Sequence, residues 1–115
     1  MKKSYLIIAG LFLSLIIFTS CERTPSKYDD LAKCLNKNGL TMYGTEWCPH
    51  CKDQKVLLGL AFDFINYVDC DLYPKKCQDA GVKGYPTWLT AEGTQLVGAQ
   101  SLKNLAEQTN CELPK

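Results

Sequence analysis

The chain has 115 residues, a length that accommodates a single domain. It is 46% hydrophobic and carries 13 basic and 12 acidic side chains, which gives a net charge of +1. Removal of Lys2 and Lys3 with an N-terminal signal would leave 11 basic against 12 acidic residues. A charge this close to zero excludes the basic surface that binding to nucleic acid or to an anionic membrane requires.

The first twenty residues have the pattern of a secretory signal. Lys2 and Lys3 form a positive start, residues 5–18 are almost entirely apolar, and Thr19 and Ser20 supply small residues before a cysteine. The apolar run has about 14 residues, whereas a helix that crosses a bilayer needs roughly 20. We therefore predict a cleaved signal peptide over 1–20, with an uncleaved membrane anchor as the alternative.

The segment Phe18-Thr19-Ser20-Cys21 resembles a bacterial lipobox, in which the cysteine receives a diacylglycerol and becomes the mature N-terminus. This resemblance predicts lipidation at Cys21, a tether over 21–27 and a domain over 28–115. The chain would then be extracytoplasmic, anchored to a bacterial membrane and facing the periplasm. The alternative is ordinary cleavage that leaves Cys21 as a free or bridged thiol.

Residue spacing predicts the elements of the first half of the domain. Ser26 is expected to cap a first helix, with Asp29 as its reciprocal partner, and Gly39 to end it. A short β-prone segment over 40–44 predicts a strand. The next helical run continues over 52–64, with a stripe of expected core side chains: Val56, Leu57, Leu60, Ala61 and Phe64.

The second half continues with a strand over 65–69 and a short helix over 74–80. Residues 86–90 and 95–97 are predicted to form a β-hairpin, and Ser101 to cap a final helix. The order is α-β-α-β-α-β-β-α. We therefore predict an α/β fold in which a central mixed sheet is flanked by helices, which is the thioredoxin arrangement.

Seven cysteines in so short a chain suit an oxidising compartment. With Cys21 lipidated, six remain, and six cysteines allow fifteen connectivities among which sequence does not choose. Spacing favours three pairs, the last of them joining the first and last helices: Cys48 with Cys51, Cys70 with Cys77, and Cys34 with Cys111.

The sequence Cys48-Pro49-His50-Cys51 falls where a strand leads into a helix. Unpaired N–H groups and the helix dipole at such a position favour a thiolate at Cys48. Cys51, one turn later, is expected to be buried and protonated and to act as the resolving thiol. Pro49 suits an early helical position. His50 would stabilise the Cys48 thiolate and make the disulfide more oxidising, unless it is a solvated surface residue.

A second signature lies at Tyr85-Pro86-Thr87. In thioredoxin-like proteins the residue before a cis-proline faces the cysteine pair and offers backbone groups to a substrate chain. Pro86 follows Cys51 by 35 residues, which suits that loop. We therefore predict that Trp47, Tyr85 and Pro86 contact substrates; an ordinary trans proline is the alternative.

Three segments, 40–51, 67–71 and 81–88, together with 100–107, resemble the thioredoxin-like domain fused to bacterial vitamin K epoxide reductase homologues. The similarity extends from about residue 30 to about residue 109. It implies a redox disulfide between Cys48 and Cys51 and a structural bridge between Cys70 and Cys77. It also implies that disulfides pass between cysteine-containing secreted proteins and a quinone-linked membrane thiol oxidase.

Two departures from these relatives matter. The membrane part of the fusions is absent from this sequence, so we expect a separate membrane partner. Thioredoxins carry a buried acid six residues before the first cysteine, and Met42 occupies that position here. An oxidant is therefore favoured over a thioredoxin-type reductase.

Three other interpretations stay open. A disulfide reductase or isomerase would be fed by a membrane electron donor. A metal-binding maturation module would use Cys48, His50 and Cys51, although a structural zinc site needs four ligands, and we predict no metal. A purely structural 48–51 bridge would close too small a loop to add much stability. We expect a monomer with no cofactor beyond its redox-active disulfide.

Overall fold

The computed structural model describes residues 19–115, so most of the predicted signal peptide lies outside the described residues. Nine elements follow one another: α1 (Asp29–Lys37), β1 (Thr41–Gly44), α2 (Pro49–Leu58), a 3₁₀ helix (Gly59–Phe64), β2 (Asn66–Asp69), α3 (Pro74–Asp79), β3 (Thr87–Leu89), β4 (Gln95–Val97) and α4 (Leu102–Thr109). No helix among residues 19–115 is long and apolar enough to cross a membrane.

The four strands form one mixed sheet in the order β2-β1-β3-β4. β1 runs parallel to β2 and antiparallel to β3, which is itself antiparallel to β4. Tyr43 in β1 lies opposite Thr87 in β3. The loop that follows β1 and the loop that precedes β3 therefore emerge at the same edge of the sheet.

The second helix presents a different face to the core from the one that its apolar residues predict. Cys51, Gln54 and Leu58 are buried, whereas three expected core residues are largely exposed: Val56 (80%), Leu57 (45%) and Leu60 (56%). The prediction was wrong because α2 begins at Pro49 and ends at Leu58, so the expected stripe spans two elements. Gly59, with a φ of 58°, ends the helix, and the 3₁₀ segment that follows buries Ala61.

A buried glutamine holds α2 against the sheet. Gln54 is 1% exposed, and its side-chain oxygen accepts hydrogen bonds from the Trp88 indole (3.1 Å) and the Gln100 amide (2.7 Å). Its amide nitrogen donates to the Gln100 carbonyl at 3.1 Å. Because these bonds satisfy the buried polar groups, α2 is fixed to β3 and to the segment that precedes α4.

The chain enters α1 differently from the predicted cap. The helix starts at Asp29, and the Ser26 hydroxyl accepts from the Tyr28 amide at 3.3 Å rather than capping the helix. Asp29 does reach back to the Ser26 N–H, at 3.0 Å, and also pairs with Arg23 at 2.8 Å. Burial alone would raise the pKa of Asp29, but these two contacts outweigh it and lower the pKa.

Two disulfides are present among the described residues, one between distant elements and one between neighbouring elements. Cys34 in α1 is bonded to Cys111, which follows α4, across a separation of 77 residues. Cys70 and Cys77 are bonded across the segment that joins β2 to α3. Both pairs are among the three that spacing favours. The third pair, Cys48 and Cys51, is present as two thiols.

Candidate active site

Cys48 occupies the position that caps α2. Its backbone is extended, Pro49 takes the first helical position, and the Cys48 Sγ accepts a hydrogen bond from the Cys51 N–H at 3.2 Å. A backbone N–H at a helix start is a donor that stabilises negative charge on the atom it faces. The Cys48 side chain is 4% exposed, so an approaching partner must align closely with it.

Cys51 lies behind Cys48 and is fully buried. Burial and, after it, the contact with Cys48 raise the pKa of its thiol to about 12, although the Thr45 backbone and the Lys55 charge oppose this shift. Space for the sulfur is provided by Gly44, because a Cβ atom at that residue would lie 2.8 Å from the Cys51 Sγ. At neutral pH Cys51 is therefore a protonated thiol that must lose its proton to react.

A polar cluster of Lys55, Glu46 and Tyr67 lies near the Cys51 thiol. The Lys55 ammonium lies 2.6 Å from a Glu46 carboxylate oxygen and 4.4 Å from the centroid of the Tyr67 ring. The Tyr67 hydroxyl is buried without a hydrogen-bond partner among the described residues. Burial raises the pKa of Tyr67, and the charges of Glu46 and Asp69 raise it further. The positive charge of Lys55 favours ionisation of the Cys51 thiol.

The predicted substrate-contacting residues lie together beside the thiols. The Tyr85–Pro86 peptide bond is cis, and Pro86 is buried directly before β3. Trp47 is 63% exposed and packs edge-on against Tyr85 with ring centroids 6.1 Å apart. The Trp47 indole also donates to Asp71 at 2.8 Å. An exposed aromatic pair therefore borders the Cys48 position.

His50 is exposed to solvent. Its side chain is 73% exposed, and Nδ1 lies 3.8 Å from a carboxylate oxygen of Asp53. Its influence on Cys48 stays a prediction. Among the residues that the structure describes, no three histidine, cysteine, aspartate or glutamate side chains are grouped as they would be around a metal ion.

Solved structures with the same arrangement include the NTD_N/C domain of the alkylhydroperoxide reductase AhpF from Enterococcus faecalis. The TM-score is 0.50 at 15% identity, and the match covers 76% of this chain and 45% of that one. The fold is thioredoxin-like. Oxidised thioredoxin from Plasmodium falciparum (TM-score 0.48, 22% identity, 74% of this chain and 91% of that chain) and mitochondrial thioredoxin 3 from Saccharomyces cerevisiae (0.46, 21%, 73% and 86%) are also similar.

In sequence, the thioredoxin-like chain is similar to the thiol–disulfide oxidoreductase LTO1 of Arabidopsis thaliana. The two are 42% identical over 92 residues, a match that covers 72% of this chain. The chain spans about a quarter (24%) of the length of this curated relative. No profile of a known protein family matches it.

Five residues that support this thioredoxin-like site are not apparent from the sequence patterns: Gly44, Gln54, Lys55, Tyr67 and Asp71. Each acts through a contact between separate elements, which a local pattern does not reveal. One signal was available, since Gln54 is a polar residue one turn after Cys51 on the same face of the helix.

Proposed function

We propose that this chain is a thiol–disulfide oxidoreductase that acts through Cys48 and Cys51. One observation carries the proposal: the Cys48 Sγ faces a backbone N–H at the start of α2, while the Cys51 thiol is buried one turn behind it. The first arrangement favours a nucleophilic or leaving thiolate, and the second supplies an intramolecular thiol. The name of the Arabidopsis relative agrees with this activity.

In the oxidising direction, the reaction begins with Cys48 and Cys51 joined as a disulfide. A substrate thiolate attacks the Cys48 Sγ, the S–S bond breaks, and Cys51 leaves as a thiolate that takes up a proton. A second substrate thiolate then attacks the mixed disulfide, and Cys48 leaves. The substrate loses two electrons and gains a disulfide, and the protein becomes a dithiol. A membrane thiol oxidase linked to a quinone would restore its disulfide.

The oxidising direction is favoured over reduction because no carboxylate occupies the buried position near the cysteine pair. Met42 is fully buried there, between its sheet neighbours Tyr67 and Trp88. A reductase needs efficient deprotonation of its buried thiol, and an apolar side chain does not provide it. Measurement of the Cys48–Cys51 reduction potential against glutathione tests this direction. A potential of about −270 mV, the value for thioredoxin, would instead support a reductase or isomerase supplied by a membrane electron donor.

We propose further that the protein works outside the cytoplasm, attached to a bacterial membrane by lipid on Cys21. Support comes from the pattern of residues 1–21 and from the exposure of Cys21 on a segment preceding the domain. Arg23 ties this segment to the domain through Asp29 and the Leu60 carbonyl. Mass spectrometry of protein from membranes should detect a diacylglycerol on Cys21; a mature chain that begins elsewhere would exclude it.

The partners are tested by trapping. Cys51→Ala should accumulate mixed disulfides through Cys48, because the buried thiol that would release the partner has been removed. The matched control is the double variant Cys48→Ala/Cys51→Ala, which retains every other cysteine. We expect secreted proteins with cysteines and a membrane thiol oxidase among the trapped species. Equal trapping by both variants would contradict a role for Cys48.

A further inference from the structure

The segment between β2 and α3 is closed by the Cys70–Cys77 disulfide and attached to the active site from two sides. The Cys70 amide donates to the carbonyl of Gly44, at the end of β1, at 2.8 Å. Asp71 accepts the Trp47 indole at 2.8 Å, one residue before Cys48. The disulfide loop therefore borders the same surface as the reactive cysteine.

The conformation of this loop is fixed by contacts within the loop itself. The Asp69 carboxylate accepts from the amides of Asp71 (2.9 Å) and Leu72 (3.3 Å), and the Asp69 carbonyl accepts from the Tyr73 amide at 2.8 Å. The Lys76 ammonium lies 4.6 Å from the centroid of the Tyr73 ring. A loop ordered before binding loses little conformational entropy when a partner contacts it.

Two large apolar side chains of the loop extend into solvent. Leu72 is 71% exposed and Tyr73 is 51% exposed, whereas the Cys70 and Cys77 side chains on either side are buried. Asp71, which precedes Leu72, accepts a hydrogen bond from Trp47, and Trp47 packs on Tyr85. We therefore group four exposed side chains as the apolar rim of the active site: Trp47, Leu72, Tyr73 and Tyr85. Exposed apolar side chains grouped around a reactive residue are typical of an interaction surface.

We propose that Leu72 and Tyr73 select partners that carry an apolar or aromatic side chain close to their reactive cysteine. This inference rests on the proposed function and specifies its substrate class. A partner sulfur can bond to Cys48 only if it reaches a side chain that is 4% exposed. The residues on either side of that sulfur must then lie against the rim. Apolar side chains there would be removed from water, which favours their binding over that of polar ones.

The test uses the full chain with its Cys48–Cys51 disulfide formed. Two peptides, each with a single cysteine, are compared. They differ only at the residues two positions before and two positions after the cysteine. These residues are leucine and phenylalanine in the apolar peptide, and both are serine in the serine peptide. A peptide thiolate attacks Cys48, and a second releases it, so that the protein disulfide is reduced and a peptide disulfide forms. Glutathione, which is too small to cover the rim, serves as the third reductant.

The variant is Leu72→Ser/Tyr73→Ser, and the matched control is Val56→Ser/Leu60→Ser. Each removes two exposed apolar side chains, the control pair being in the C-terminal part of α2 and the 3₁₀ helix. We expect the rim variant to react roughly tenfold more slowly with the apolar peptide. Its rates with the serine peptide and glutathione should stay unchanged, and the control should match the native protein throughout.

Three results would overturn the selection by Leu72 and Tyr73. The rim variant could react more slowly with both peptides to the same extent, it could react with the apolar peptide at the native rate, or the control variant could show the same reduction in rate. Unchanged reaction with glutathione also reports that the variant is folded. A native protein whose Cys48–Cys51 disulfide reacts with neither peptide nor glutathione would contradict the proposed function itself, and the proposed selection with it.

Discussion

Gly44 and Cys51 approach each other so closely that a methyl group on Gly44 would lie 2.8 Å from the Cys51 Sγ. Gly44→Ala should therefore displace the buried thiol. We expect a loss of about 1–3 kcal/mol in the free energy of unfolding, together with slower formation of the Cys48–Cys51 disulfide. Denaturant unfolding and the rate of reaction with oxidised glutathione measure the two effects.

The matched control for that substitution is Gly84→Ala. A Cβ atom at Gly84 would meet nothing closer than a Val97 methyl at 3.9 Å, an ordinary contact. Native-like stability of Gly44→Ala would contradict the close approach of the glycine to the thiol.

The buried thiol also predicts a pH dependence of stability. In the unfolded chain the pKa of a cysteine is about 8.5, whereas the pKa of Cys51 in the folded protein is about 12. Between these values the folded state binds more protons, so the free energy of unfolding falls as pH rises, by at most about 1.4 kcal/mol per unit. Below this range the contribution is fully retained.

Urea unfolding from pH 7 to pH 10 measures this dependence in Cys48→Ala, which leaves Cys51 as a thiol while keeping both structural disulfides. The variant loses the contribution of Cys48 to the raised pKa but keeps burial, the largest cause, so the direction of the dependence is the same. The double variant Cys48→Ala/Cys51→Ala should lose less stability over the same range. Parallel curves for the two variants would show that Cys51 ionises as readily in the folded state as in the unfolded chain.

Lys55 is expected to act on Cys51 through its charge. Because the Lys55 ammonium lowers the pKa of Cys51, Lys55→Met should slow the attack of Cys51 on a mixed disulfide by roughly threefold or more. Stopped-flow measurement should give a plot of log rate against pH that is displaced but parallel to that of the native protein. Lys52→Met, which removes an exposed lysine adjacent to Cys51, should leave the rate unchanged.

Gln54 is predicted to be a major determinant of stability. Gln54→Leu would leave the Trp88 indole and the Gln100 amide without their acceptor, and a buried donor left unpaired, as the indole would be, costs about 1–3 kcal/mol. We expect thermal unfolding, followed by circular dichroism, at a clearly lower temperature. Gln108→Leu changes an exposed glutamine of α4 and should have little effect; a similar loss there would argue against the network.

The two disulfides should differ in their contribution to stability. In the chain-entropy account, a bond that closes 77 residues stabilises the fold by about 4.5 kcal/mol, and one that closes 7 residues by about 2.4 kcal/mol. Cys34→Ala/Cys111→Ala should therefore unfold at lower denaturant concentration than Cys70→Ala/Cys77→Ala. The opposite order would indicate that the short loop supports the domain core.

Much of the fold follows from local signals. The thioredoxin-like arrangement is confirmed, β4 spans the predicted 95–97, and the Ser101 hydroxyl caps α4 by accepting from the Asn104 amide at 3.1 Å. These features depend on turn residues, helix caps and the alternation of apolar and polar residues, and each of these signals occupies only a few consecutive residues.

The errors have a shared physical origin. Apolar residues at helical spacing usually face inward, which is why the sequence predicts Val56, Leu57 and Leu60 in the core. Here Gly59 interrupts the helix, and the buried face is set by Cys51 and Gln54, whose partners lie on other elements. The cysteine motif predicts the pair of thiols at the start of α2, but contacts such as that of Gly44 with Cys51 depend on how β1 and α2 pack. Tertiary packing of this kind has no local sequence signature.

The bond between Cys34 and Cys111 brings the two ends of the domain together, with Cα atoms 6.0 Å apart, and Asn38 reinforces it by donating to the Thr109 carbonyl. The chain therefore leaves the domain after α4 close to α1, the helix with which the domain begins. Because its two ends lie close together, we expect this domain to tolerate insertion into a loop of another protein. A domain of this kind is suited to being joined to different proteins.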